Sequence, residues 1–207
     1  MNTQQQTLSQ EQETTDPLSL LRNRRSMTKS RPDPVPLHLV EAVIEAATWA
    51  PNHRRTEPWR FVVVTGDARS ALGEAMVEEL NRRSTARGES TTEDQIEKER
   101  NKPLRAPVVI AVAAVPADDP RVPEVEEIAA TAAGIQNMLL AAQTLGLGAM
   151  WRTGDAAFDP KIKTFLGLPE NAHLLSFFYL GYPEIVPPIS RTDNAKAKTT
   201  WLETSTP

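Results

Sequence analysis

The sequence predicts a single domain built on a β-sheet with covering helices, of α/β or α+β class. Val108–Val115 is an unbroken apolar run of strand length, as a strand covered on both faces requires. Long stretches on either side repeat their apolar residues at helical spacing. The resulting order, α-α-β-α-(α)-β-α-β-α-β, does not alternate from its start as a doubly wound fold does. At 207 residues, 40% of them hydrophobic and 24% charged, the chain suffices for one ordinary globular domain.

Residues 1–15, rich in Gln, Thr and Glu, lack apolar periodicity and are expected to be a disordered tail before a domain spanning 16–183. Asp16-Pro17 reads as a helix start, an N-capping acid followed by proline at the first helical position. Leu18, Leu20 and Leu21 give that helix an apolar face. Arg22, Arg24 and Arg25 suit the negative end of its dipole. After the proline-broken stretch Arg31–Pro36, the spacing of Leu37, Val40, Val43, Ile44 and Ala47 predicts an amphipathic helix. Pro51 ends it, because a residue before proline is pushed out of helical geometry.

A polar loop, Asn52–Pro58, leads into the β-branched run Phe61–Val64, which Gly66 bounds. Residues 67–84 read as a helix with Leu72, Ala75, Met76 and Leu80 inward. Residues 84–103 are nearly all polar and are expected to form a surface excursion or partial helix. Val125–Leu145 predicts a central helix with Ile128, Ala132, Ile135, Leu139 and Ala142 on one stripe. Its many alanines permit close packing, and Gly146 and Gly148 close it. Ala149–Trp151 and Leu174–Leu180 read as strands, with a short helix Lys161–Phe165 between them. Residues 184–207 carry prolines and charge without period, an extension expected to lie on the surface or on a partner subunit.

Composition excludes several functions. The net charge of −4 argues against a general nucleic-acid binder. The absence of cysteine excludes disulfides, thiol catalysis and thiolate metal sites. It also suits a reducing compartment, so a cytoplasmic location is expected. No apolar run reaches membrane-spanning length, and Met1–Asp16 is polar rather than a secretion signal. His38, His53 and His173 are scattered, so no metal site is expected. Gly146-Leu147-Gly148 follows a helix and precedes a strand, the reverse of a dinucleotide-binding turn.

Three segments carry possible chemistry, each beside a plainer reading. Arg24-Arg25-Ser26 offers forked donors and a hydroxyl suited to phosphate or a flavin edge, or else caps a helix end. Ala50-Pro51-Asn52-His53 with Glu57-Pro58-Trp59-Arg60-Phe61 is a proline-pinned platform for a planar ligand, or else a structured loop with Trp59 as its core anchor. Gly148-Ala149-Met150-Trp151-Arg152-Thr153-Gly154 ends a strand in an aromatic, a cation and a hydroxyl. Trp151 alone suits a core, whereas Arg152 is rarely buried unpaired.

Together with Arg105-Ala106-Pro107, Arg121-Val122-Pro123, Ala133-Gly134, Gly146-Leu147-Gly148 and Tyr179-Leu180-Gly181, these segments resemble the FMN-dependent nitroreductase family. The similarity is closest to its small single-domain NAD(P)H nitroreductases and runs in order from Pro17 to Pro183. The resemblance implies an α+β nitroreductase-like fold, a mixed or antiparallel sheet flanked by helices, and a homodimer binding FMN at the subunit interface. Arg24, Arg25 and Ser26, with Trp151, Arg152 and Thr153, are the implied flavin ligands of one subunit. By the same resemblance, Trp49 and His53 fall at positions that reach the flavin from the partner chain. Ala141, Ala142, Gln143, Thr144, Leu145 and Gly146 fall where relatives hold NAD(P).

Trp49 replaces a polar or basic residue of close members, and Glu57 replaces a common glutamine. The implied activity is ping-pong transfer of hydride from NAD(P)H through flavin N5 to a small nitroaromatic, quinone or similar electron-poor acceptor, with no side chain acting as a catalytic nucleophile. Reductive dehalogenation, reduction of an activated double bond, or flavin binding without catalysis remain alternatives.

Overall fold

The computed structural model describes residues 16–188 and 194–202; the expected N-terminal tail and parts of the C-terminal extension lie outside the described residues. Helix α1 (Pro17–Asn23) begins where expected, with the Asp16 carboxylate accepting from the amides of Leu18 and Ser19. Helix α2 (Leu37–Thr48) precedes strand β1 (Trp59–Val64), and helix α3 (Ala68–Ala86) follows it.

The polar stretch after α3 forms a second helix, α4 (Glu93–Arg100). Its start is a capping box: Thr92 accepts from the Gln95 amide, and the Gln95 side chain accepts from the Thr92 amide. Hydropathy could not reveal this helix, because its termini and charged pairs support it rather than an apolar stripe. Strand β2 (Val108–Ala114), helix α5 (Glu124–Thr144) and strand β3 (Gly148–Arg152) come next. Helix α6 (Pro160–Phe165) and strand β4 (His173–Gly181) complete the domain.

The four strands form one sheet in the order β1-β2-β4-β3, antiparallel throughout rather than mixed. Every residue of β2 is buried, as its unbroken apolar run requires. Alternation along the strands divides two cores. On one face, Val109, Ala111, Ala113, Phe177 and Tyr179 pack with Leu72 and Met76 of α3 and Ile162 of α6. On the other, Ile110, Val112, Phe178 and Leu180 pack with Val43 of α2 and with Ile135 and Met138 of α5.

The buried stripe of α5 differs from its hydropathic reading. Ile128 and Ala132 are only half-buried, whereas Glu127 and Thr131 are buried. Local bonds accommodate the polar pair: Glu127 accepts from the Ala117 amide at 2.8 Å, and Thr131 donates to the Glu127 carbonyl at 3.0 Å. An apolar template passes over such residues.

Gly73 sits on α3 where the end of α4 crosses it, and an added Cβ would fall inside contact with the Arg100 carbonyl. Gly73→Ala, which would gain about 1 kcal/mol in an exposed helix, is expected here to cost about 1–3 kcal/mol by overpacking, read as a lowered Tm. Asp159 caps α6 through the amides of Lys161 and Ile162 and pairs with Arg82 at 3.0 Å. Burial pushes its carboxyl up, but Arg82 and the two amides outweigh this and hold it below the usual range. A depressed native value adds stability above the unfolded value of about 4, lost as pH falls through the native value. Asp159→Ala is therefore expected to cost about 1–2 kcal/mol at pH 7. The gap from wild type should narrow in urea melts at acid pH, and a gap independent of pH contradicts the assignment.

Candidate functional site

Sheet order leaves β3 at an edge, and the chain after α1 docks there. The Met27 amide donates to the Ala149 carbonyl at 3.0 Å, and the Arg31 amide donates to that of Tyr182 at 2.9 Å. Glycines make the approach possible. A Cβ on Gly148 would lie 2.7 Å from Cγ of Met27, and one on Gly181 would lie 2.8 Å from Cβ of Ser30. This arm carries Arg24, Arg25 and Ser26 to the sheet.

Arg24 caps α1 and is half-buried, and Ser26 is exposed. Arg25 folds back so that its guanidinium donates to the carbonyls of Arg22 and Arg24, each at 3.0 Å. Its Nε is buried without a hydrogen-bond partner. Beside the arm, Thr28, Ser30, Arg105, Met150, Arg152 and Tyr179 line a narrow recess. Arg152 and Tyr179 also line an adjoining cleft of about 120 Å³, which Glu99, Lys102, Thr153 and Asp155 help to enclose.

Three cations, Lys102, Arg105 and Arg152, thus gather around the two hollows. Glu99, 9% exposed, is bonded to Lys102 at 2.6 Å. Burial pushes the Tyr179 hydroxyl above its usual range, while Arg152 and Arg105 pull against that shift. The floor is braced from behind, where Arg83 bonds Glu79 at 2.8 Å and Asp155 at 3.1 Å. The Glu79 hydrogen bond is the chief cause that raises the Arg83 guanidinium.

Trp151 does not join Arg152. Successive strand residues face opposite ways, so Trp151 packs in the core beneath α2 and α5, and its indole N–H donates to the Leu175 carbonyl at 2.8 Å. Thr153 is exposed at the cleft mouth. The Ala141–Gly146 segment is largely structural. Ala142 is core, Gln143 donates to the Leu20 carbonyl at 3.4 Å, and Thr144 donates to the Leu140 carbonyl at 3.0 Å. Ala141 is half-buried, while Leu145 and Gly146 are exposed at the helix end.

Trp49 and His53 lie elsewhere. Trp49 ends α2 with 78% of its surface exposed. His53 pairs with Glu126, in the first turn of α5, at 3.3 Å. Gln143, by contrast, touches α1 from the last turn of the same helix. At 1.5 Å per residue, Glu126 and Gln143 are about 25 Å apart along α5. Helix α1, which leads into the arm, and the His53 loop therefore lie at opposite ends of α5.

That loop is strained. Arg54, Arg55 and Glu57 have φ of 52°, 56° and 48°, a region costing non-glycine residues roughly 1–2 kcal/mol each. Asn52 restrains it by accepting from the Glu57 amide at 3.1 Å. Asp119 faces it, its carboxyl lowered to about 2 chiefly by hydrogen bonds from Arg121, with Arg54 and His53 contributing.

The sequence singled out Arg152 but not Glu99, Lys102 or Tyr179 as site residues. Tyr179 and Arg105 stood in the segments carrying the resemblance. Only the pairing of Met150 with Tyr179 across β3 and β4 brings Tyr179 beside Arg152.

Comparison with known proteins identifies the family and the fold. The model of the Nitroreductase family matches residues 21–182. The Bacillus subtilis protein named Putative NAD(P)H nitroreductase YfhC is 30% identical over 172 residues, covering 83% of this chain and 87% of its own. A crystal structure of a nitroreductase-like family protein from Bacillus cereus superposes with a TM-score of 0.79 at 26% identity, covering 93% of this chain and 99% of its own. A structure described as a putative nitroreductase in complex with FMN, from Desulfovibrio desulfuricans, gives a TM-score of 0.67 at 28% identity, covering 94% of this chain and all of its own. The fold is nitroreductase-like, and the chain belongs to the Nitroreductase family.

Proposed function

We propose that this protein is an FMN-dependent oxidoreductase that takes hydride from NAD(P)H and reduces a small electron-poor acceptor, such as a nitroaromatic or a quinone. The carrying observation is the convergence of Lys102, Arg105 and Arg152 on adjoining hollows beside the arm that bears Arg24–Ser26. The residues fit a flavin mononucleotide. Arg25 keeps a buried Nε without a partner, and cations with a hydroxyl arm suit a dianionic phosphate and an oxygen-rich ring. The B. subtilis relative is named for NAD(P)H, and the D. desulfuricans structure is a complex with FMN.

When bound, the flavin supplies two-electron chemistry that protein side chains cannot. Arg24, Arg25 and Ser26 hold the phosphate and ring edge, and Arg152 adds positive charge close to them. Thr153 binds at the cleft mouth, while Trp151 acts from behind by fixing the strand that carries Arg152 and Thr153. Within Ala141–Gly146, the exposed Thr144, Leu145 and Gly146 are the groups available to a nicotinamide dinucleotide. No protein acid or base is required.

The working unit is a homodimer. Trp49 and His53 lie near the far end of α5 from the arm, so a second copy must bring them to the flavin. Leu18 and Leu21 on α1 and Leu37 on α2 are at least half exposed, as surfaces covered by a second subunit would be. The domain is residues 16–183, and the described residues of the extension, with Trp201 and Leu202 exposed, lie against the partner. The unit acts in the cytoplasm.

Freshly purified protein is expected to show the visible absorption bands of oxidised flavin and to oxidise NADH or NADPH when a nitroaromatic or quinone is supplied. Arg152→Ala or Arg24→Ala should weaken FMN retention about tenfold or more, the size of a lost charge-assisted hydrogen bond. Colourless protein that takes up no FMN overturns the reading. Sedimentation at micromolar concentration should give twice the chain mass, and a monomer that retains flavin refutes the shared site.

A further inference from the structure

Tyr179 is 6% exposed, its ring packed in the core beneath α3. Among the described residues no group bonds its hydroxyl. Unlike the ring, the hydroxyl oxygen is not closed off from solvent, so it is open to a partner from outside the protein. Tyr179 also lines both the recess and the cleft, which share it and Arg152. Its polar end is therefore turned to the space a ligand would fill.

The lining favours one part of a flavin over another. Glu99 stands in the same cleft, and a carboxylate beside a phosphate dianion is repelled. The pyrimidine edge of an isoalloxazine ring suits it better. That edge alternates carbonyl oxygens, which Lys102, Arg105 and Arg152 can serve, with an N3–H that a carboxylate can accept. We propose that the Tyr179 hydroxyl donates a hydrogen bond to this pyrimidine edge, on its N1–C2 carbonyl side, and favours the reduced flavin. The assignment rests on the flavin reading above. Burial keeps the hydroxyl protonated, and so able to donate, through the physiological range. A reduced flavin would carry negative charge over N1 and the C2 oxygen, so a donor there would bind it more tightly than the oxidised ring.

Tyr179→Phe removes the O–H and keeps the ring. The midpoint potential of the bound flavin should fall by about 30 mV, the equivalent of a tenfold loss in the ratio of reduced to oxidised binding for a two-electron couple. Fluorescence titrations should show FMN and riboflavin losing affinity by the same factor, because the contact is to the ring they share. The thermal midpoint of the flavin-free variant should not fall, since no bond within the protein is lost. An unchanged potential overturns the proposal. So does a loss confined to FMN, which would put the hydroxyl on the phosphate. A destabilised flavin-free variant overturns it as well, by showing a partner within the protein. Wild-type protein that binds neither flavin refutes the function itself, a result distinct from all of these.

Discussion

The arm from Arg24 to Arg31 reaches the sheet only because two strand positions lack side chains. At Gly148 and Gly181 a single methyl group would collide with Met27 or Ser30. With those glycines in place, the Met27 amide satisfies a carbonyl that edge strand β3 would otherwise leave to solvent. The same contact sets the arm beside Arg152 and Tyr179. Backbone packing thus places the charges, because a long guanidinium side chain would not hold one position unaided.

Charge around the hollows is balanced rather than simply positive. The two buried carboxylates behind and beside them, Glu79 and Glu99, each have a cation, Arg83 and Lys102. Buried ions demand such pairing, since removing one partner leaves the other uncompensated in a poorly solvated setting. Arg152 has no ion pair among the described residues and lies on the shared wall of both hollows. On the proposed function, it is the cation that would meet an anionic guest. The paired charges hold the floor at Asp155 and the turn bearing Lys102 in register with it.

The loop from Asn52 to Glu57 keeps three non-glycine residues in left-handed geometry. Such strain persists where surrounding contacts over-determine the backbone, and it gathers at functional sites. Here Asn52, the Glu126–His53 pair and Asp119 supply the restraint. The length of α5 keeps this loop from the arm of its own chain. In the homodimer proposed above, a twofold-related copy would bring them together.

Much of this was legible in the residues alone. Asp16-Pro17, the helical spacing of Leu37–Ala47 and the unbroken apolar run of β2 each identify an element, because caps and periodicities act between near neighbours. The ordered short segments likewise pointed to the family and to Arg152. The helix Glu93–Arg100 is legible only as a surface excursion or partial helix because its support is a polar cap, and on α5 Glu127 and Thr131 are buried by bonding rather than by hydropathy, beside the Ile135, Leu139 and Ala142 that the apolar spacing does identify. Which strands are neighbours, that Trp151 and Arg152 serve opposite faces, and that Tyr179 stands beside Arg105 and Lys102 were decided only by the tertiary structure. Sheet order and register arise from packing between residues far apart in the chain, and no local pattern encodes them.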